Sequence, residues 1–310
     1  MLTTPTRPSS ASKTGITIGN FDGVHRGHQL LVARTLEICA QRQLDSVAIT
    51  FWPHPRALFS GKKMPPLASR KTRSELLKGL GIKTVLDLNF TLEMASQEPE
   101  DFVRSCLLPL NIDSLVIGYD FCLGKGRSGD FATLSRLGEK YGFSVTKVEP
   151  LMLGDAPISS TRLRRAVENG EMDLARSMLG RPYSLKGPVV HGEGRGTGMG
   201  YPTANLLPEE ALLPPDGVYA ARVLCRKKSY AAVSNIGFCP TFKGTQRTIE
   251  SFLLDCSLNL YGEDIELLFL DRLRGEKKFP SVQELTAQIA LDVKKASELN
   301  AAYSLSLSNN

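Results

Sequence analysis

The feature that most constrains this chain is a change of rhythm beyond its midpoint. From Gly15 to about Leu179, short runs rich in β-branched residues alternate with stretches of helical period. Beyond Gly180-Arg181-Pro182-Tyr183 the helices give way to strands punctuated by glycine and proline. Alternation of the first kind dictates a parallel sheet wrapped by helices, because parallel neighbours need a long crossover between them. The predicted strands are Ile16-Thr17-Ile18, Val47 to Phe51, Thr84 to Leu88, Ser114 to Ile117 and Ser144 to Thr146. Helices are predicted near residues 27–42, 70–79, 99–108 and 131–141. The second rhythm predicts an all-β unit, a small barrel, with strands such as Val218 to Val223 and Ile265 to Leu270. One helix closes it: Ser281 and Glu284 form a capping-box pattern, and Leu285, Ile289 and Val293 share an apolar face. The expected organisation is a disordered tail over 1–14, an α/β domain over 15–182, a β domain over 183–299 and a disordered polar tail over 300–310.

Composition narrows the function classes. At 310 residues the chain is about twice the roughly 150 at which one domain is the default. Its apolar runs, such as Leu115-Val116-Ile117, fall far short of the roughly 20 residues that span a bilayer. The polar start from Met1 to Ser12 has no apolar segment of the secretory kind, so a cytoplasmic protein is expected. Six cysteines (Cys39, Cys106, Cys122, Cys225, Cys239, Cys256) show neither a CxxC pair nor ligand spacing. A net charge of +6 is too modest and dispersed to argue for nucleic acid, and binding phosphate groups explains it equally well.

Open parallel sheets bind ligands beyond the carboxyl ends of their strands, and the unusual polar clusters lie there. They are Gly19-Asn20-Phe21-Asp22 after the first strand, Pro53-His54-Pro55 after the second and Gly118-Tyr119-Asp120 after the fourth. In Gly19-Asn20-Phe21-Asp22-Gly23-Val24-His25-Arg26-Gly27-His28, two of the four histidines open a helix three residues apart, on one face. Gly23 and Gly27 let a phosphate approach a helix N-terminus whose N–H groups are free. A second helix opens at Ser159-Ser160-Thr161, with Arg164 one turn on as a planar donor for phosphate oxygens. Taken singly, the histidines also fit a metal pair or a structural pair, and the hydroxyls an ordinary helix cap. For adenylyl transfer the nucleophile is an ionised phosphate, so positioning and charge neutralisation matter more than a base, and His25, His28 and Arg164 suit that work.

In the second half, Gly192 to Gly200 places glycine at every second position, with Gly194, Gly196 and Gly198 baring one face of an extended segment for a phosphate. A flexible hairpin has the same composition. Tyr201-Pro202-Thr203-Ala204-Asn205 follows, and the Thr203 and Asn205 oxygens on one face suit a Mg²⁺ shared with ATP; a simple turn is the alternative. Glu250 shares a strand face with Phe252 and Leu254, so its carboxylate is either structurally paired or a general base. Phosphorylation of an alcohol uses such a base, because the hydroxyl loses its proton during attack.

These motifs together resemble the bacterial bifunctional riboflavin kinase/FMN adenylyltransferases. In the first half the resemblance rests on Gly19 to Gln29, Phe51-x-Pro53-His54-Pro55, Gly118-x-Asp120-Phe121-x-x-Gly124 and Ile158-Ser159-Ser160-Thr161-x-x-Arg164. In the second it rests on the glycine run, Pro202 to Asn205, Asp216 to Tyr219, Asn235-Ile236-Gly237-x-x-Pro240-Thr241-Phe242, Glu250, Leu253-Leu254-Asp255, Leu260-Tyr261-Gly262 and Arg274-x-Glu276-x-x-Phe279. It implies a Rossmann-like nucleotidyltransferase domain followed by a six-stranded barrel kinase with a C-terminal helix. It further implies Asn20, Gly23, Gly27, Ser160, Thr161 and Arg164 on ATP, His25 and His28 on its phosphates, and Asp120, Arg274 and Glu276 near flavin or nucleotide. Glu250 is then the base, and Mg²⁺ with ATP joins riboflavin, FMN and FAD as the small-molecule partners, with neither nucleic acid nor membrane. Cys239, Phe252, Asn259, Met199 and Gly275 depart from the commoner family residues, and none of them is assigned to chemistry here. The competing reading is another HxGH-type adenylyltransferase whose barrel binds nucleic acid, although clusters of aromatics interleaved with Lys and Arg are missing.

Overall fold

The computed structural model describes residues 12–61, 64–192, 201–241, 244–254, 256 and 258–308. The first half is a five-stranded, fully parallel sheet of order β3-β2-β1-β4-β5. Its strands are β1 (Thr14–Ile18), β2 (Asp45–Trp52), β3 (Thr84–Asn89), β4 (Ile112–Gly118) and β5 (Ser144–Val148). Helices α1 (Arg26–Arg42), α2 (Pro55–Ser60), α3 (Arg70–Gly79), α4 (Leu92–Ala95), α5 (Pro99–Phe102) and α6 (Phe131–Tyr141) connect them. One face buries Ile16, Ile18, Ile49 and Ile117 against Phe102, Leu107 and Leu134; the other buries Ala48 and Val116 against Leu31, Val32 and Leu77. Burial on both faces is why the strands are continuous apolar runs rather than alternating ones. The order reverses between β1 and β4, so the crevice at the end of β1 is the switch point where ligands bind in such sheets. The helix predicted over 99–108 is only partly α-helical: after α5 the chain widens into a π-turn at Val103–Leu107 and tightens into a 3₁₀ turn at Leu108–Leu110. Pro109 accounts for the break, since its ring excludes a regular i−4 carbonyl.

A two-stranded ribbon, β6 (Met152–Leu153) and β7 (Ala156–Pro157), leads to α7 (Ser160–Asn169) and α8 (Met172–Leu179). Six antiparallel strands then close a barrel of order β10-β11-β12-β9-β8-β13. They are β8 (Tyr183–Val190), β9 (Thr203–Leu206), β10 (Gly217–Cys225), β11 (Lys228–Thr241), β12 (Gly244–Leu253) and β13 (Asp264–Gly275). Leu185, Tyr219, Ile249, Leu267 and Phe269 are buried, and the Tyr183 and Tyr219 rings pack on Phe269. Val218, Ala220, Val233 and Leu254 form a second cluster with Val293, Ala296, Leu299 and Tyr303 of α9 (Val282–Ser308).

Two expectations change. The polar tail placed at 300–310 is helical as far as Ser308. Asn300 is buried there, and its Nδ2 donates to the carbonyls of Ala221 (3.2 Å) and Ala296 (2.9 Å). Local polarity does not record this order, because the satisfied amide depends on a strand distant in sequence. The chain also divides after Ser160 into two compact units, upstream of the change of rhythm at Gly180. Helix α8 packs on β8 and β13 and buries Met172, Ala175, Met178 and Leu179, so this helical pair goes with the barrel. Among the described residues no helix is long and apolar enough to cross a membrane.

Candidate functional site

The turn after β1 is built on left-handed backbone. Gly23 has φ of 79°, where glycine is at ease, but Phe21 (49°) and Val24 (46°) also have positive φ and are fully buried. Burial of these two apolar side chains offsets the conformational cost. The Phe21 ring meets His28 edge-on at 5.2 Å. His25 caps α1, its Nδ1 accepting the His28 backbone N–H at 3.3 Å. In the neutral ring that acceptance puts the His25 proton on Nε2. The two imidazoles stack at 3.7 Å and 14°. A Cβ on Gly27 would stand 3.2 Å from the His25 ring, so a side chain there would crowd the stack.

Burial first, then the His25 ring and the Arg73 guanidinium, hold the His28 pKa well below the usual histidine value. His28 is therefore a neutral ring at pH 7, with a buried Nδ1 that has no partner. The Asn20 Oδ1 beside the same turn is likewise buried and unpartnered. Asp22 is committed elsewhere: its Oδ1 accepts the Leu67 N–H at 2.7 Å. Its carbonyl accepts the Ser160 hydroxyl at 3.1 Å, which ties the start of α7 to the histidine turn. The rest of the second phosphate motif lies on α7 in the second unit, with Thr161 exposed and Arg164 half-buried. Asp120 is exposed after β4, its carbonyl accepting from Arg127 at 3.2 Å.

In the barrel, strand register assembles what the sequence spreads out. Glu250 lies opposite Asn205 of β9 and Asn235 of β11, and Phe252 lies opposite Thr203 and Val233. Directly opposed residues share a face. Because Phe252 packs in the α9 cluster, this face is the outside of the barrel. Thr203 Oγ1 donates to Glu250 Oε2 at 3.4 Å. Asn205 lies so close over Gly192 that a Cβ there would come within 2.2 Å of its Nδ2. A Cβ on Gly237 would lie 2.8 Å from Glu276 Oε1 and 3.5 Å from Asn235 Nδ2, which places Glu276 by the same group. Arg274 is taken up by α9: its Nε reaches both Asp292 oxygens at 3.2 and 3.0 Å. Gly194, Gly196 and Gly198 lie outside the described residues.

Thr203 and Asn205 offer neutral oxygens beside a carboxylate, a donor set that fits a hard divalent cation completed by phosphate and water. Among the described residues no cluster of three or more His, Cys, Asp or Glu is arranged for a metal. Three features escaped the sequence reading. Asn235 had only its place in a motif to mark it. His191 and Tyr261 stack at 4.1 Å and 21°, yet are far apart in sequence. Arg73 sits in what reads as an ordinary charged helix start.

Comparison with known proteins covers both units. A family model described as FAD synthetase matches residues 7–162, and one described as riboflavin kinase matches residues 179–300. The bifunctional riboflavin kinase/FMN adenylyltransferase of Escherichia coli (strain K12) is 38% identical over 286 residues, 91% of each chain. That of Bacillus subtilis (strain 168) is 36% identical over 292 residues, 92% of each. A crystal structure described as a macrolide-efflux protein from Streptococcus pneumoniae matches with a TM-score of 0.86 and 29% identity, covering 93% of this chain and 95% of that one.

Proposed function

This chain belongs to the bifunctional riboflavin kinase/FMN adenylyltransferase family, and we propose from that premise which residues carry each step. The barrel phosphorylates riboflavin. A primary hydroxyl of riboflavin attacks the γ-phosphorus of ATP, its proton passes to the Glu250 carboxylate, and ADP leaves with the electrons of the broken P–O bond. The observation that carries this is the meeting of Glu250 with Thr203 and Asn205 across β9 and β12. Thr203 and Asn205 are the residues that would hold Mg²⁺, which would supply charge neutralisation at the transferring phosphate. Asn235 and Glu276 line the same outer face and orient the alcohol, whereas Arg274, engaged by Asp292, fixes the helix behind them.

The parallel-sheet unit joins AMP to FMN. An FMN phosphate oxygen attacks the α-phosphorus of a second ATP and pyrophosphate leaves. Asn20, Gly23, Gly27 and the α1 N-terminus receive the polyphosphate, with Ser160 as a further donor and Asp120 toward the nucleotide or flavin. His25 presents Nε2–H, and His28, neutral before ATP arrives, gains proton affinity as the phosphates approach. Thus the pair stabilises charge on the leaving pyrophosphate without being repelled by its own charge beforehand. A cytoplasmic location belongs to the same proposal, supported by ATP as substrate of both steps and by the reduced thiols of Cys39, Cys106, Cys122 and Cys225.

The test is incubation of the purified full-length chain with riboflavin, ATP and Mg²⁺, with chromatographic separation of the flavins. FMN forms first and FAD follows; supplied FMN gives FAD and pyrophosphate directly. Riboflavin left unconverted at saturating ATP and Mg²⁺ overturns the assignment.

A further inference from the structure

Arg73 lies on α3, outside every motif, and is 4% exposed. Its Nη1 donates to the carbonyls of Asn20 (3.1 Å) and Phe51 (3.3 Å), and its Nη2 to Asp87 Oδ1 (2.8 Å). Asn20 follows β1, while Phe51 and Asp87 lie near the ends of β2 and β3, so one guanidinium spans the carboxyl edge of three neighbouring strands. That edge is where the histidine turn and the Pro53-His54-Pro55 turn begin. Burying a guanidinium is costly, and one donor, Nε, has no partner even here. Exchanging a whole buried ion pair for apolar side chains of similar volume is often neutral or stabilising. Space-filling therefore does not explain the charge.

Two further observations point at the ligand side. The carbonyl that Arg73 grips belongs to Asn20, whose side-chain oxygen is buried, unpartnered and adjacent to the histidine turn. The same α3 region grips the turn again through the Leu67 N–H on Asp22. We infer that Arg73 is a positioning residue for adenylyl transfer, fixing the ends of β1 and β2 so that Asn20 and the His25–His28 stack meet the polyphosphate in one geometry. The inference rests on the adenylyltransferase reading of this unit. Electrostatics adds to the geometry: protonation of His28 is opposed by burial first, then by His25 at the helix cap, and then by Arg73. Asp87, Asp22 and Arg70 act in turn on Arg73.

The experiment compares wild type, Arg73→Met and Arg73→Lys as full-length chains. FAD formation from FMN and ATP is followed across pH, FMN formation from riboflavin is the internal control, and thermal melts check folding. Arg73→Met lowers kcat for FAD formation about 10- to 100-fold, the cost of a misplacement of up to about 1 Å, with the KM for FMN unchanged. Its acid limb moves to higher pH, because a neighbour that opposed protonation of His28 is gone. Arg73→Lys keeps the wild-type acid limb and recovers part of kcat, since one ammonium holds the charge but not the two-carbonyl fork. The kinase rate is the same in all three. If wild type itself makes no FAD, the adenylyltransferase reading fails. If wild type makes FAD and folded Arg73→Met matches it in kcat and pH profile, the inference is overturned. Should the Met variant not fold, wild-type kcat in Arg73→Lys overturns it equally.

Discussion

In the parallel-sheet unit the proposed site is gathered into one turn, Gly19 to His28, whereas in the barrel it is drawn from β9, β11 and β12. The turn is held by local devices: a histidine cap, left-handed residues anchored by burial, and a glycine that makes room for a stacked ring. The barrel site depends on register. Shifting β12 by one residue would send Glu250 to the interior and bring Ile249 or Ser251 to the outer face. The two proposed sites thus differ in kind: a local loop at a helix N-terminus and a surface of paired strands. The first is sensitive to backbone conformation and the second to pairing.

The sharpest way to test that contrast is to remove one functional group from each side. Glu250→Gln lowers FMN formation from riboflavin by about 100- to 10,000-fold, the usual cost of losing a general base, and leaves FAD formation from supplied FMN intact. His28→Ala does the reverse, lowering FAD formation by about 100- to 1000-fold, as for one well-placed electrostatic contact, with kinase activity preserved. Steady-state assays of both reactions on both variants measure this. Parallel loss of both activities in either variant, with melting unchanged, breaks the comparison.

A smaller effect concerns where the two regions part. A chain beginning at Thr161 keeps α8, whose Met172, Ala175, Met178 and Leu179 are buried, and also Gly170, against which the Arg272 side chain lies. A chain beginning at Tyr183 loses these, at about 1.5–3 kcal/mol for each large apolar side chain no longer covered. The longer chain is expected to melt cooperatively and make FMN, and the shorter one to melt several degrees lower. Equal melting temperatures would return the boundary to Gly180.

The smallest effect is on the pH dependence of stability. The unfolded chain protonates His28 near about pH 6.5, while the folded chain resists it to lower pH. Between those values the unfolded state binds the extra proton, so stability is full above about pH 6.5 and declines as pH falls toward the folded pKa. His28→Gln is expected to show a shallower decline in thermal melts taken across that range. Superimposable profiles would assign the acid sensitivity to other groups.

Legibility in the sequence followed the same division. The histidine turn could be read directly because contiguous residues report their own backbone needs. Glu250, Thr203 and Asn205 were marked by their faces and motifs, but Asn235 and Glu276 became neighbours of that group only through pairing and close approach. Ser160 was read as a phosphate ligand, and the fold adds a hydrogen bond from it to the Asp22 carbonyl. Arg274 was read as a ligand to flavin or nucleotide, and the fold gives it Asp292.

The sequence by itself determined the alternation that makes the parallel sheet and the strand rhythm of the barrel, because periodicity and local turn chemistry are properties of neighbouring residues. Tertiary structure alone decided that α7 and α8 join the barrel, that the last helix runs on to Ser308, and that Arg73 grips the ends of β1 and β2. Each of those outcomes depends on a buried polar or apolar group finding its partner far along the chain, and no local pattern records where that partner will be.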